Sequence, residues 1–331
     1  MNLTRESGYE ALITSDTCMY ISSFEKMRKE VIDRTTIVAF IDTRGTNAHP
    51  DVFDANAGWI LWNGKSDGVK GSYFKLNHPI VEKETRLLEA LANPDCGWFY
   101  TRRADAFKAA PGSPLGYWIN EKIWKAYDHC ETFAQVGRPK VGMQTSNNDK
   151  YLRLWWEIRY PEFQPGSKPP IWIKYLKGGD YRKWYGNLEY LLHYNQDPAY
   201  ILEQPNARVL EIGYLEKPKC TWTDLTSGEP SFRYAPEDTF YDISGHCFFP
   251  SPNDQLYLLA YANSSLVAML KKVFNSSFHF QCGDIAKMVV PDLRTNARMQ
   301  VESMARENIS LSSKDWDSFE TSWDFKSHPL V

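Results

Sequence analysis

Residues 141–187 read VGMQTSNNDKYLRLWWEIRYPEFQPGSKPPIWIKYLKGGDYRKWYGN, a stretch that is rich in both basic and aromatic residues. Between Arg138 and Asn187 there are ten Lys or Arg residues against four Asp or Glu residues, while the whole chain has a formal net charge of −3. Ten aromatic residues occupy the same positions. Cations for phosphates and flat rings for stacking are what a nucleic-acid surface requires. A Trp-rich core with a solvated rim has the same composition, so both interpretations stand at this point.

The composition of the whole chain indicates a folded protein with a local rather than a general affinity for polyanions. A length of 331 residues is enough for two domains that each bury a core. The hydrophobic share of 43% and the charged share of 24% are ordinary for a folded soluble protein. Because the total charge is near neutral, a nucleic-acid partner would meet one face only.

The cysteines and the hydropathy of the chain indicate a reduced, cytoplasmic protein. The six cysteines form no CxxC pair and have no histidine at metal-ligand spacing, so we predict reduced core thiols and no metal site. The most apolar long run, Leu256–Leu270, is interrupted by polar residues and is too short to span a bilayer, so no membrane partner is expected. The N-terminus has no basic-then-apolar signal pattern.

The N-terminal region has the element pattern of a partial Rossmann-like α/β sheet. Apolar runs predict strands at Tyr9–Thr14, Ile37–Ile41 and Gly58–Trp62, the first of them buried. Two helices are predicted, one with Phe24, Met27, Val31 and Ile32 on one face, and one over Ile80–Ala92 that Pro79 opens. A sheet this small leaves open edges and an uncovered face, so we expect the numbering to start inside a larger domain. The Pro- and Gly-rich run Ala109–Leu115 places the domain boundary near residue 110.

The region after this boundary predicts a mixed α+β domain. Strands are expected at Leu188–Tyr194 and Arg208–Tyr214, and helices at Ile119–His129 and Ser265–Phe274. The tail Asn308–Val331 is polar and has no clear period. Its aromatic residues Trp316, Phe319 and Trp323 have a spacing that would present them together, to a partner or to the domain.

The sequence contains no convincing catalytic constellation. Val209–Gly213 reads VLEIG, which resembles the start of an S-adenosylmethionine loop, but the glycines needed for close backbone approach do not follow. Asp197–Tyr200 and Asn93–Cys96 each lack the second proline of the Asn/Asp-Pro-Pro-aromatic motif that holds a flipped base. No HExxH or GxSxG sequence occurs. We therefore predict a core strand, two turns and no catalytic residue.

Two loops in the opening stretch are candidates for contact with DNA. The first contains side chains that bond base edges, followed by cations: Gln144, Thr145, Ser146, Asn147, Asn148, Lys150 and Arg153. Asn can bond adenine bidentately and Arg can do the same to guanine, although an ordinary polar loop before a helix or strand has a similar sequence. The second has Gly178 and Gly179 for close approach to a phosphate, and the candidates Lys177, Arg182, Lys183, Trp184 and Tyr185.

Four segments in order resemble the PglX family of BREX phage-defence, adenine-specific DNA methyltransferases. They are PGSPLGYW (Pro111–Trp118), QTSNNDKYLRLWWE (Gln144–Glu157), KGGDYRKWYGN (Lys177–Asn187) and KDWDSFETSWDFKSHPL (Lys314–Leu330). The wider resemblance is to single-chain adenine-specific methyltransferases that join a catalytic domain to a target-recognition domain.

This resemblance implies a transfer of methyl from S-adenosylmethionine to adenine N6 in a short DNA site, which marks self DNA. It implies that residues 1–110 are the C-terminal portion of a class I methyltransferase-like domain, 111–307 a target-recognition domain, and 308–331 the start of a C-terminal tail or helical region. In the family, the S-adenosylmethionine loop and the Asn-Pro-Pro-Tyr motif precede the strand that matches Tyr9–Thr14. No catalytic or cofactor-binding residue is therefore carried over. We expect the cofactor to serve the complete enzyme, and this chain alone to lack transfer activity.

Only a DNA-contact role is carried over, to the loops at 144–153 and 177–187. Lys177, Arg182 and Lys183 would clamp phosphates, and Trp184 or Tyr185 would stack. Double-stranded DNA is the expected partner, with the missing catalytic portion or other BREX proteins beside it. The alternatives are a fragment that binds defence proteins or a phage inhibitor through its aromatic tail, and an aromatic-lined carbohydrate-binding domain. Loss of binding with added salt distinguishes DNA contact from both.

Overall fold

The chain forms two compact units. The computed structural model describes residues 4–43, 56–77, 82–159, 171–195, 199–226, 228–275 and 277–330. The first unit comprises Met1–Cys130 and Val273–Asn275, and the second comprises Glu131–Lys272 and Ser276–Val331. Among the described strands, the first unit contains one mixed sheet, and the second contains one antiparallel and one mixed sheet, which confirms the predicted combination of α/β and α+β organisation.

The first unit is built on a five-stranded sheet. Its elements are β1 (Tyr9–Ser15), α1 (Glu25–Arg34), β2 (Thr36–Asp42), β3 (Asn56–Trp62), β4 (Lys70–Lys75), α2 (Lys83–Ala92), β5 (Phe99–Arg103) and α3 (Glu121–Ala126). The strand order is β1-β3-β2-β4-β5, with β3 antiparallel to both neighbours and β2 parallel to β4. The three strands predicted from apolar runs are confirmed, whereas β4 and β5 have no counterpart among the predictions.

Strand β1 lies at the exposed edge of this sheet, which corrects the prediction that it is buried. It pairs with β3 alone among the described strands, and Tyr9 and Ile13 are 69% and 82% exposed. Ile60, opposite Ala11 on the same face, is also exposed. An apolar run predicts a strand, but it does not show whether another element packs against either face of that strand. An apolar sheet face and an unpaired edge are therefore open in the described part of this unit.

Helix α2 covers a different part of the sheet. Ala90 is buried in a cluster with Phe74, and Leu87 packs against the same cluster. Leu88 and Leu91, predicted to be on the apolar face, are 59% and 63% exposed. The predicted start of this helix at residues 79–80 lies outside the described residues.

A buried arginine fixes the segment 111–118 in the first unit. Arg28, on α1, donates from Nε and Nη2 to the Gly112 carbonyl at 2.9 and 2.7 Å. Its Nη1 donates to the carbonyls of Cys18 and Ile21. Tyr117, from the same segment, is also buried and donates to an Asp42 carboxylate oxygen at 2.8 Å. The segment PGSPLGYW is thus core of the first unit, and the two units divide after Cys130.

The second unit combines two four-stranded sheets with helices. Its elements are α4 (Phe133–Val136), β6 (Pro139–Lys140), α5 (Asn148–Tyr151), β7 (Leu152–Leu154), β8 (Trp172–Leu176), β9 (Tyr190–His193), α6 (Ala199–Leu202), β10 (Lys219–Trp222), β11 (Phe232–Ala235), β12 (Thr239–Tyr241), β13 (Cys247–Phe248), α7 (Gln255–Ala262), α8 (Ser265–Phe274, whose last two residues belong to the first unit), α9 (Cys282–Ala286) and α10 (Thr295–Trp316). One sheet has the order β11-β10-β13-β6 and the other β12-β8-β9-β7.

The structure corrects one strand prediction in this unit. The segment Arg208–Tyr214 has a single bridge at Arg208 and then a 3-10 helix over Ile212–Tyr214. Ile212 is exposed, so the apolar run VLEI does not form a core strand. The strand within Leu188–Tyr194 and the helix Ser265–Phe274 are confirmed. Within the described residues, no helix combines the length and apolar character needed to cross a membrane.

Replacing Arg28 with Met is expected to destabilise the first unit. The change removes a buried cation and leaves the Gly112 carbonyl without its described donor, so the free energy of unfolding should fall by about 3 kcal/mol. Chemical denaturation measures this change. The matched control is Arg34→Met, which removes an exposed pair with Glu30 and should change stability little. Equal effects of the two substitutions would contradict the assigned role of Arg28.

Candidate nucleic-acid interface

The candidate interface begins at a short backbone segment that is hydrogen-bonded on both sides. Met143 donates to the Tyr241 carbonyl at 2.9 Å and accepts from the Ile243 N–H at 3.0 Å. The next residue, Gln144, exchanges two backbone hydrogen bonds of 2.9 and 2.8 Å with Arg208. Successive residues of an extended chain direct their backbone groups to opposite sides, which explains this alternation. The backbone is therefore fixed just before the first candidate loop.

Gly142 allows this close approach. A Cβ atom at this position would lie 2.3 Å from the Asp242 carbonyl oxygen and 2.4 Å from that of Tyr241. No side chain fits at such distances, so glycine is required by space rather than by a special backbone angle.

We call residues Gln144–Arg153 the reading loop. The Thr145 hydroxyl donates to Asn148 Oδ1 at 2.7 Å and accepts from the Asn147 N–H at 3.3 Å. Asn147 Oδ1 accepts from the Lys150 N–H at 3.1 Å and caps α5. Ser146 has a φ of +57°, which closes the turn. Thr145 is buried beneath the loop, so the loop has one defined conformation.

The reading loop exposes polar side chains on this fixed backbone. Ser146, Asn147, Asn148 and Lys150 are exposed. The oxygen of each Asn amide accepts one hydrogen bond within the loop, while each amide nitrogen has no partner among the described residues. An amide oxygen can accept a second bond, so each Asn retains the donor and acceptor that reading adenine requires.

Three cations accompany these amides. The Lys150 ammonium lies 4.9 Å from the Tyr151 ring centre and 5.7 Å from that of Tyr200. The Arg153 guanidinium donates to the carbonyls of Asp149 and Leu152. Arg208, brought beside Gln144 by backbone pairing, is exposed. Sequence reasoning missed Arg208 because no local pattern links positions so far apart in the chain.

We call residues Lys177–Asn187 the glycine loop, and its backbone is tightly packed. Gly178 and Gly179 have φ values of +90° and +103°, which favour glycine. A Cβ atom at Gly178 would lie 2.8 Å from the Ser244 carbonyl oxygen. Gly178 therefore fits the loop against the 244 turn, and a Cβ atom at Gly179 would lie 3.0 Å from the Asn187 side-chain amide nitrogen.

The cations of the glycine loop have partners within the second unit. Arg182 pairs with Asp315 at 2.8 Å and lies 5.0 Å from the Trp316 ring centre. Lys183 donates to the Asn263 carbonyl at 3.3 Å, with a Glu229 carboxylate oxygen at 3.8 Å. Arg182 and Lys183 remain 30% and 26% exposed, and both acidic partners are more than half exposed. A phosphate would have to compete with these carboxylates.

The two aromatic candidates of the glycine loop are held in the fold. Trp184 has a φ of +75°, and its backbone pairs with Phe232 and Tyr234 at 2.8 Å each. Tyr185 packs against a buried cluster that includes Trp316. Burial, with Asp317 and Asp324 nearby, raises the pKa of Tyr185 to about 12. Both rings are partly buried and leave limited surface for stacking.

The C-terminal aromatic residues pack within the second unit. Trp316 is 4% exposed, and Trp323 stacks on Trp155 at 4.9 Å between ring centres. The Trp323 indole N–H donates to the Leu188 carbonyl at 3.1 Å. Phe319 is the most exposed of the three tail residues, at 48%. Two of these three aromatic side chains therefore face the domain.

Two described segments do not fit an S-adenosylmethionine loop. Gly213 lies in a 3-10 helix, with no strand before it and no helix N-terminus after it. The connection from β1 to α1 contains no glycine. Neither segment has the glycine-rich strand-to-helix turn that this cofactor class uses. We derive no step through the cofactor from these residues.

The fold is similar to part of one solved restriction-modification enzyme. The structure of the Type IIL restriction-modification enzyme MmeI in complex with DNA matches 97% of this chain and 44% of that chain, with a TM-score of 0.55 and 9% sequence identity. At this identity, the match concerns the fold alone. No family model matches the chain.

Two curated proteins match the chain over its full length. The adenine-specific methyltransferase PglX of Lacticaseibacillus casei (strain Zhang) is 27% identical, and this chain spans 29% of its length. The adenine-specific methyltransferase BrxX of Escherichia coli O9:H4 (strain HS) is 28% identical, and this chain spans 27% of its length. The resemblance to PglX-type adenine-specific methyltransferases predicted from four segments is confirmed.

Replacing Gly142 with Ala tests the constraint on which the reading loop depends. The added methyl group meets two backbone carbonyls, so we expect the free energy of unfolding to fall by about 2 to 3 kcal/mol. The matched control is Gly213→Ala, where a Cβ atom would meet nothing within 4 Å and stability should be unchanged or slightly higher. Denaturant unfolding of both variants measures the difference. A neutral Gly142→Ala variant would show that this backbone contact is not required.

Proposed function

We propose that this chain is the DNA target-recognition portion of an adenine-N6 methyltransferase of a BREX-type phage-defence system. The observation that carries the proposal is the reading loop, whose conformation is fixed by Thr145 and Asn147 while its amide groups point outward. Base recognition needs such a preorganised loop, because ordering a mobile one would cost binding energy. The similarity to adenine-specific methyltransferases supports the same conclusion.

In this proposal, the two loops divide the work of recognition. Asn147 and Asn148 read base edges, and Lys150 and Arg153 contact phosphates beside them. The glycine loop adds a clamp of Lys177, Arg182 and Lys183, in which phosphates replace Asp315 and Glu229 as partners of the cations. Backbone pairing of Trp184 with Phe232 and Tyr234, and packing of Tyr185 against the cluster that includes Trp316, hold the loop that carries the clamp.

The first unit supplies part of the methyltransferase sheet. Its open edge at β1 and the exposed side chains of Tyr9, Ile13 and Ile60 favour coverage by further methyltransferase polypeptide. The groups that bind S-adenosylmethionine and the target adenine would come from that polypeptide. The chain alone would then bind DNA without transferring a methyl group.

A protein-interaction fragment is the second candidate, and the exposed side chain of Phe319 is the observation that favours it. The burial of Trp316 and the stacking of Trp323 leave little of the aromatic tail for a partner. Binding to duplex DNA that weakens with salt supports the first candidate, and salt-insensitive capture of another protein supports the second.

The reading loop predicts a loss of base discrimination when one amide donor is removed. In Asn147→Asp the Oδ1 cap is retained, because Asp caps helices as well as Asn, but the Nδ2 donor is replaced by an oxygen. We expect discrimination at one base position to fall by about 1 to 3 kcal/mol. Selection of bound duplexes from a random pool, followed by sequencing, measures the preference.

The matched control for this change is Asn296→Asp, which makes the same substitution at an exposed site of α10. It should leave the selected sequences unchanged. If Asn147→Asp also leaves them unchanged while wild type selects a motif, Asn147 does not read bases.

The clamp predicts a change in the salt dependence of binding. Arg182→Ala combined with Lys183→Ala removes two cations, so the slope of log affinity against log salt should decrease by about 1 to 2. Asp315→Asn provides the opposite change, since it frees Arg182 and should strengthen binding at low salt. Fluorescence anisotropy with a labelled duplex measures both. An unchanged slope in the double variant would exclude the clamp.

A further inference from the structure

Two exposed lysines converge on one tyrosine in the second unit. The Lys140 ammonium donates to the Tyr214 hydroxyl at 2.5 Å and lies 5.1 Å from the centre of its ring. The Lys217 ammonium lies 4.0 Å from the same ring centre. The ring itself packs on Phe249 at 5.2 Å. Both lysines therefore contact one aromatic side chain whose ring is itself supported by Phe249, which lowers the entropy cost of ordering them.

A third lysine, Lys219, is buried next to the turn that carries Lys217. Lys219 is fully buried, and its ammonium donates to the carbonyls of Leu215, Lys217 and Glu237 at 2.7–3.2 Å. Burial lowers the pKa of Lys219 to about 8, which leaves the group mainly charged at neutral pH. The turn that carries Lys217 therefore binds a buried ammonium group through its backbone carbonyls. The charge of this ammonium group adds to the positive potential at the nearby surface.

This cluster is joined to the reading loop by two chain segments. One runs from Lys140 to Gln144, and the other runs from Tyr214 back to Arg208. They are tied at one end by the Lys140–Tyr214 contact and at the other by the backbone pair of Gln144 and Arg208. Asn147 lies seven residues after Lys140, and seven residues span at most about 25 Å, which corresponds to about seven base pairs along a DNA axis.

We infer that Lys140, Tyr214 and Lys217 form a phosphodiester-binding site that contacts the DNA backbone within about seven base pairs of the bases read by the loop. This inference rests on the proposed function and deepens it. The lysines act as point charges, and Tyr214 is a positioning residue that holds them. Exposed Arg138 lies two residues before Lys140 in the chain. The carboxylates near these cations are those of Glu216, in the same turn as Lys217, and of Glu237 and Asp238, near Lys219.

The test measures how binding depends on salt, using fluorescence anisotropy with a labelled random-sequence duplex. Lys140→Ala combined with Lys217→Ala should reduce the slope of log affinity against log salt by about 1.8, because each phosphate contact contributes about 0.9. The control Lys314→Ala removes an exposed lysine on α10 and should leave the slope unchanged. Tyr214→Phe keeps the ring and removes only the hydroxyl that accepts from Lys140. It should give a smaller decrease than the double variant.

The outcomes separate this inference from the proposal on which it rests. If wild type binds with a salt-dependent affinity and the double variant keeps the wild-type slope, the phosphodiester site is excluded and the recognition function stands. If wild type shows no salt-dependent binding to any duplex, both are overturned. A second arm titrates a free mononucleotide: tight binding that depends on the two lysines would assign the site to a soluble nucleotide and overturn the DNA contact.

Discussion

The second unit depends on one crowded backbone contact, where Gly142 passes against the Tyr241–Asp242 strand end. Because no Cβ atom fits there, the chain can continue to Met143 and Gln144 with hydrogen bonds on both sides. That pairing joins β12 to the Arg208 segment and sets the direction in which the reading loop leaves the fold. Backbone hydrogen bonds therefore fix the chain just before the reading loop, and the hydrogen bonds within the loop stabilise its turn.

The reading loop and the glycine loop differ in whether their cations have carboxylate partners. Around the reading loop, Lys150 rests on tyrosine rings and Arg153 on backbone carbonyls, so their charge is not neutralised by described carboxylates. In the glycine loop, Arg182 and Lys183 already have Asp315 and Glu229 as partners. Both acidic partners are more than half exposed, so water weakens these ion pairs and a phosphate can compete for the cations. The cations of the reading loop can therefore contact a phosphate directly. Arg182 and Lys183 of the glycine loop must first separate from their carboxylate partners.

Local patterns in the sequence predicted much of the fold and less of the site. Four predicted strands and one predicted helix are confirmed: β1, β2, β3, β9 and α8. Their hydrophobic patterns lie within single short segments, so they can be identified from the sequence alone. The prediction that β1 is buried was wrong, because burial of a strand depends on which other elements pack against it. The run VLEI near Arg208 is apolar but lacks a partner strand, so it does not form one. The composition of the reading loop was visible in the sequence, whereas its Arg208 neighbour and the Lys140–Tyr214–Lys217 cluster arise only from tertiary pairing.

The most direct measurement of the central claim is amide hydrogen exchange of the chain with and without duplex DNA. If the second unit recognises DNA through the reading loop, exchange should slow in peptides covering 144–153 and 208–217 when DNA is added, while the sheet of the first unit keeps its exchange rates. Protection confined to the C-terminal tail, or no protection by DNA anywhere in the second unit, would contradict the account.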